Sequence, residues 1–155
     1  MLQKSYFVLK LDLIKTDDSK YADADEIAIT NNGIMQLFST AEFRIGGAEI
    51  ERFSEPGIAT TVTGLLKYNF GDSETVGKEY GWFLDRDKFS AVSADNRGFE
   101  ERKKCIINYM TTKGQYTYLI PFTHIFGDCG KVIRGAKISV TFVRSSDLDS
   151  NAIFK

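Results

Sequence analysis

Alternation of apolar and polar residues is the dominant signal along this chain. In "SYFVLKLDLIK" (5–15), Tyr6, Val8 and Leu9 follow a period close to two, and Lys10 and Asp12 stand opposed to Leu11 and Leu13. That pattern predicts a half-buried strand. "TDDSKYADADE" (16–26) is a polar loop, and "IAITNNG" (27–33) is a short strand entering an Asn-Asn-Gly turn, where positive φ is easily met. The clearest hairpin is "STAEFRIGGAEIERF" (39–53). Phe43 and Ile45 alternate with Glu42 and Arg44, and Ala48 and Ile50 with Glu49 and Glu51. Between them Gly46-Gly47 supplies a two-residue turn, since two glycines meet the positive φ angles of a type I′ turn without steric cost.

The period then changes. In "SEPGIATTVTGLLKY" (54–68), Ile58, Val62, Leu65 and Leu66 stand at i, i+4, i+7 and i+8, the apolar stripe of an amphipathic helix over about 55–67. Ser54 is placed to cap it, and Pro56 is tolerated in its first turn. The stretch at about 70–98 has little periodicity and reads as a long surface loop of the kind that carries function. Strands resume in "FEERKKCIINYM" (99–110), "QYTYLIPF" (115–122) and "KVIRGAKISVTFVR" (131–144), where Ile138, Val140 and Phe142 alternate with Lys137, Ser139 and Thr141. No repeat is present. About eight strands with turn signals between them predict an all-β, antiparallel jelly-roll sandwich in a single domain spanning 1–155. The absence of βαβ order argues against a nucleotide-binding parallel sheet.

Composition agrees with that class. The 155 residues include twelve Phe, seven Tyr and one Trp, types that fit pleated, half-buried surfaces. A net charge of −1 lacks the basic excess with which nucleic-acid binders neutralise phosphates, so no specific nucleic-acid binding is expected. "ERKK" (101–104) reads as a solvated strand face. No stretch is apolar enough for a membrane span or a signal peptide. The two cysteines form neither a disulfide framework nor a Cys-x-x-Cys pair, which favours synthesis inside a cell with reduced thiols.

Candidate chemistry gathers in "PFTHIFGDC" (121–129), which holds the chain's single histidine. His124, Asp128 and Cys129, with Cys105 further off, are the possible metal ligands, but zinc sites draw on more ligands at other spacings. A Cys129–His124 dyad would need an orienting partner and an oxyanion hole, and none can be named. The simpler reading is a corner. Ile120, Phe122, Ile125 and Phe126 bury apolar area, Pro121 ends a strand, Gly127 lets the backbone turn, and Thr123 and His124 satisfy local backbone groups. The acidic loop with Asp17, Asp18, Asp23, Asp25 and Glu26 does not follow an EF-hand order. No catalytic residue, metal or cofactor is therefore expected.

Four stretches together resemble one family: "NNGIMQLFSTAEFRIGGAEIE" (31–51), "PGIATTVTGLLKY" (56–68), "IPFTHIFGDCGKVIRGAKISVTFVR" (120–144) and "NAIFK" (151–155). Their order and spacing are similar to those of the major capsid proteins of Polinton (Maverick) elements and adintoviruses, of the double jelly-roll lineage. The resemblance implies a structural protein of the virion, not an enzyme. Its copies would form homotrimeric, pseudo-hexagonal capsomers that tile an icosahedral shell. Members of that family are far longer, so the chain would be the N-terminal jelly roll of a longer protein or a remnant retained by a host genome. Subunit contacts would fall on Tyr80, Trp82, Phe83, Arg86, Arg97 and Phe99, since aromatics and Arg are enriched at interfaces. The rival expectation is a ligand-binding sandwich, a carbohydrate- or receptor-binding module, using the same rings as a stacking platform.

Overall fold

The computed structural model describes residues 2–69, 71–72, 75, 77–85, 95–110, 114–127, 133–146 and 152–154. Strands β1 (Tyr6–Leu11), β3 (Phe38–Ile45) and β4 (Ala48–Ser54) precede β5 (Tyr116–Pro121) and β6 (Ile138–Arg144). They make two antiparallel sheets, β1–β5 and β4–β3–β6. A third, minimal pair joins β2 (Ala28–Ile29) to β7 (Ile153–Phe154). The chain is thus sheet-rich with short helices, and the described residues hold fewer strands than the eight expected.

The β3–β4 hairpin forms as the alternation requires, with Gly46 at φ 59° and Gly47 at φ 88°. Register places Ala41 between Phe53 and Phe142, and Phe43 beside Val140, so one face of this sheet is apolar. Phe7 and Leu9 of β1 lie beside Ile120 and Tyr118 of β5 on the facing side. Between the sheets the rings interlock: Phe7 and Phe142 are 5.2 Å apart, Phe43 and Phe122 5.1 Å, Phe122 and Phe126 5.2 Å. Phe122, Ile125 and Phe126 are buried, each stabilising the fold by roughly 1.5–3 kcal/mol. The 121–126 corner is therefore a wedge between sheets. It contains the one-turn helix α5 (Phe122–Ile125), which starts where Pro121 ends β5.

Two expectations need correction. Residues 99–110 are not a strand: α4 (Arg97–Lys104) runs into a π-helical stretch, Cys105–Met110. Helical spacing wins because Phe99, Arg102 and Ile106 recur at i, i+3 and i+7 and all three are buried. Asn96 caps the start by accepting from the Phe99 N–H, and Arg102, Lys103 and Lys104 complement the dipole at the end. The 70–98 stretch is also not all loop, since Gly77–Tyr80 forms a short helix, α3.

The expected helix is present as α2 (Pro56–Lys67), but it is turned over. Its buried residues are Pro56, Gly57, Thr60 and Gly64, while Ile58, Val62, Leu65 and Leu66 remain 59%, 54%, 54% and 86% exposed. Ser54 does not cap it. Ser54 closes β4, and the helix is entered through Glu55 in the left-handed region, φ 54°, without a side-chain cap.

Candidate functional site

The buried polar residues converge on His124. Asn32, in the left-handed region at φ 58°, precedes the short helix α1 (Gly33–Gln36) and is 1% exposed. Its Nδ2 donates to Thr60 Oγ1 at 2.8 Å and Thr61 Oγ1 at 2.9 Å. Those hydroxyls donate in turn to the Pro56 and Gly57 carbonyls, 2.7 Å each. With the amide nitrogen so used, Asn32 Oδ1 is the acceptor left for His124 Nε2, 2.9 Å away. Nε2 therefore carries the ring proton, and Nδ1 accepts from the Tyr68 hydroxyl at 3.3 Å.

Rings close the site. Tyr80 lies 4.8 Å from the imidazole centroid, Tyr68 stacks on it at 5.9 Å, and Trp82 meets it edge-on at 6.1 Å. Burial first, and the nearby Lys67 charge second, push the imidazole down to about 4. The ring is neutral at physiological pH. Both its nitrogens are occupied, so the arrangement ties α1, α2, the 77–83 turn and the 121–126 corner together. Sequence reasoning had His124 serving local backbone groups. Its partners are instead side chains 92 and 56 residues away, because a buried amide–imidazole pair satisfies more polar atoms than the one-turn corner could.

Small residues let this packing happen. A Cβ on Gly64 would fall inside the Trp82 ring, so only glycine admits the indole at that turn of α2. Trp82 is fully buried, and among the described residues its Nε1–H has no hydrogen-bond partner.

A second polar cluster fastens the 81–85 segment. Arg102, 4% exposed, contacts Asp85 at 2.7 Å, donates to the Ile29 carbonyl at 2.7 Å, and also to the Phe83 carbonyl. Asn96 Nδ2 donates to the same Asp85 carboxylate at 2.9 Å, and Asn31 Oδ1 accepts from the Phe83 N–H at 2.7 Å. Arg102 was read in sequence as part of a solvated run. The signal that marks it is helical spacing with Phe99 and Ile106, once 97–110 is taken as helix.

The expected contact residues divide. Tyr80, Trp82, Phe83 and Phe99 are 0–6% exposed, so their rings belong to this chain's own core and none is a surface platform. Tyr80 and Trp82 are taken in by packing on His124, and Trp82 also by Gly64 of α2. Arg97 is exposed, and Arg86 lies outside the described residues. Asp128 and Cys129 also lie outside them, so of the possible ligand set only His124 and Cys105 are described, and of the possible dyad only His124. Burial pushes the Cys105 thiol up to about 11, and it donates to the Glu101 carbonyl. Among the described residues no group of three or more His, Cys, Asp or Glu side chains could hold a metal, and no helix is long and apolar enough to cross a membrane. No family model, curated protein or solved structure matches the chain.

Proposed function

We propose that this chain is a structural building block, a capsid-type jelly-roll domain of the virion whose task is to associate with further copies of itself. The observation that carries this reading is the orientation of α2. Its small, polar face packs inward and its four large apolar side chains face solvent. Together they make an exposed apolar stripe, and contiguous apolar patches mark interaction surfaces. A net charge of −1 keeps like copies from repelling one another strongly. The likeness of 31–51, 56–68 and 120–144 to double jelly-roll capsid proteins supports the same reading, with trimeric capsomers as the first assembly product.

A carbohydrate-binding sandwich would need exposed stacking rings, and the four aromatics first considered for that task are buried. Size-exclusion chromatography with light scattering, followed by negative-stain imaging, tests the proposal. Trimers or shell-like particles are the expected result. A strict monomer at every concentration, or a monomer that binds glycans, refutes it.

A further inference from the structure

The inward row of β1 is incompletely covered. Phe7, Leu9 and Leu11 face the core while Tyr6, Val8 and Lys10 face solvent, yet the inward side chains are only half-buried. Two cavities follow that row. The larger, about 300 Å³, is walled by Phe7, Leu9, Phe38 and Phe142. The smaller, about 130 Å³, is walled by Leu11, Leu13, Ile34, Leu37 and Ile153. They are neighbours, because the wall of one continues into the wall of the other. Leu9 is followed by Leu11 on the same face of β1, Phe38 adjoins Leu37, and Phe142 is followed by Arg144 on β6. Arg144 in turn lies across from Phe38 in the β3–β6 register.

Water is a poor tenant for this trough. An ordered water needs about 2–4 polar partners, and the side chains walling the larger cavity offer none apart from Tyr6. Charge enters at the other end. The smaller cavity is flanked by two exposed charged residues, Asp12 and Arg144. Lys20 already holds the Asp12 carboxylate at 2.8 Å. Among the described residues Arg144 has no ion pair, so its guanidinium is the uncompensated charge at that cavity. A planar, permanently charged fork at the end of an apolar trough fits a carboxylate carried on an alkyl chain.

We propose that the two cavities together hold one free fatty acid. Its carboxylate meets Arg144, and its alkyl chain runs along the inward row of β1 from Leu11 towards Phe7. That row is about 13 Å long at 3.3–3.4 Å per residue, which suits a chain of medium length. The tail covers side chains that the fold itself leaves half-exposed, and burying them against methylenes is the main driving force. The guanidinium supplies orientation and selects the acid over an alcohol of the same length. The site stands on the cavities and on Arg144, apart from the exposed face of α2, and does not depend on the capsid reading.

The test is calorimetric titration of the chain with octanoate, decanoate and laurate below their micelle concentrations, beside 1-dodecanol. The expected result is one saturable site per chain, a thermal melt raised by laurate, and roughly fourfold tighter binding for each added methylene. Arg144→Gln should weaken laurate about fivefold and leave the alcohol unchanged, a split that a merely structural role would not produce. Leu11→Phe, which puts a ring into the smaller cavity, should weaken both ligands. Should that variant not fold, the acid–alcohol comparison in Arg144→Gln decides alone. Leu66→Gln, on the exposed stripe of α2, should change neither affinity. Four results overturn the inference: no saturable binding, affinity independent of chain length, an Arg144→Gln loss shared equally by acid and alcohol, or a loss in Leu66→Gln. Capture of acyl chains only from phospholipid vesicles overturns it too. Laurate bound by a chain that stays monomeric would sink the capsid proposal and keep this site. Particles formed by a chain that binds no laurate would do the reverse.

Discussion

Mild acid should loosen this fold through one side chain. His124 is the only histidine, it is 5% exposed, and its imidazole is held down to about 4. In an unfolded chain the same group titrates near ~6.5. The unfolded molecule thus takes up a proton that the native one refuses until about pH 4, so stability is full above neutrality and falls as pH drops through that window. The gap from 6.5 to about 4, at about 1.4 kcal/mol per pH unit, amounts to about 3–4 kcal/mol. Two carboxylates act lower. Asp17 is held below the usual range by Ser19, and Asp25 by the Ala22 N–H and Lys15, so both lose their native-state charge only beneath the ordinary carboxylate value. His124 acts in the window above it. Urea melts stepped from neutral pH to about pH 4 measure the loss, with His124→Gln as the control. A glutamine amide can still donate to Asn32 but offers Tyr68 no ring nitrogen, so the variant should lose about 1–3 kcal/mol at neutral pH. Its acid limb should be flat over the same window, and the two proteins should converge towards pH 4. Parallel pH profiles for wild type and variant would refute the reasoning.

Other perturbations follow from the same geometry. Gly64→Ala should destabilise by about 1–3 kcal/mol in denaturant melts, although alanine is the better helix former, because its Cβ would collide with the buried Trp82 ring. Arg102→Met should cost about 3–5 kcal/mol by stranding Asp85 and two carbonyls. Arg102→Lys should not restore the loss, since an ammonium cannot reproduce the three-way fork. Leu66→Gln should leave the melt within about 0.5 kcal/mol of wild type while reducing self-association, because that side chain is 86% exposed. Cys105 should resist alkylation in the native protein at mildly alkaline pH and react once urea unfolds it, since burial holds its thiol up to about 11.

Local patterns carried the strands and not the partners. The β3–β4 hairpin was legible because Gly46-Gly47 and the alternation around it decide turn and register within fifteen residues. β1, β5 and β6 were legible for the same reason. The 97–110 helix was missed because "FEERKKCIINYM" has helical spacing at Phe99, Arg102 and Ile106 only if a buried arginine is admitted as a core position. Sequence alone gives no cause to admit it, since burial depends on Asp85 and two carbonyls brought in by the fold. The candidate site was half legible. The 121–126 wedge followed from its apolar anchors, but the Asn32–His124–Tyr68 connection spans separations that no local pattern encodes.

The inverted helix and the buried histidine have one cause. Asn32 needs two acceptors for its amide, and the Gly57–Thr60–Thr61–Gly64 face of α2 offers two neighbouring hydroxyls. The same face, bare of large side chains, is the one that lets Trp82 reach the imidazole. Rotating α2 by half a turn would bury Leu65 and Leu66 but drive them into the indole. It would also strand the buried Asn32 amide nitrogen, at about 1–3 kcal/mol. The helix period therefore identified α2 correctly while its usual corollary, apolar side inward, failed. A buried polar network outbid it, and the leucine stripe was left facing outward for another surface to cover.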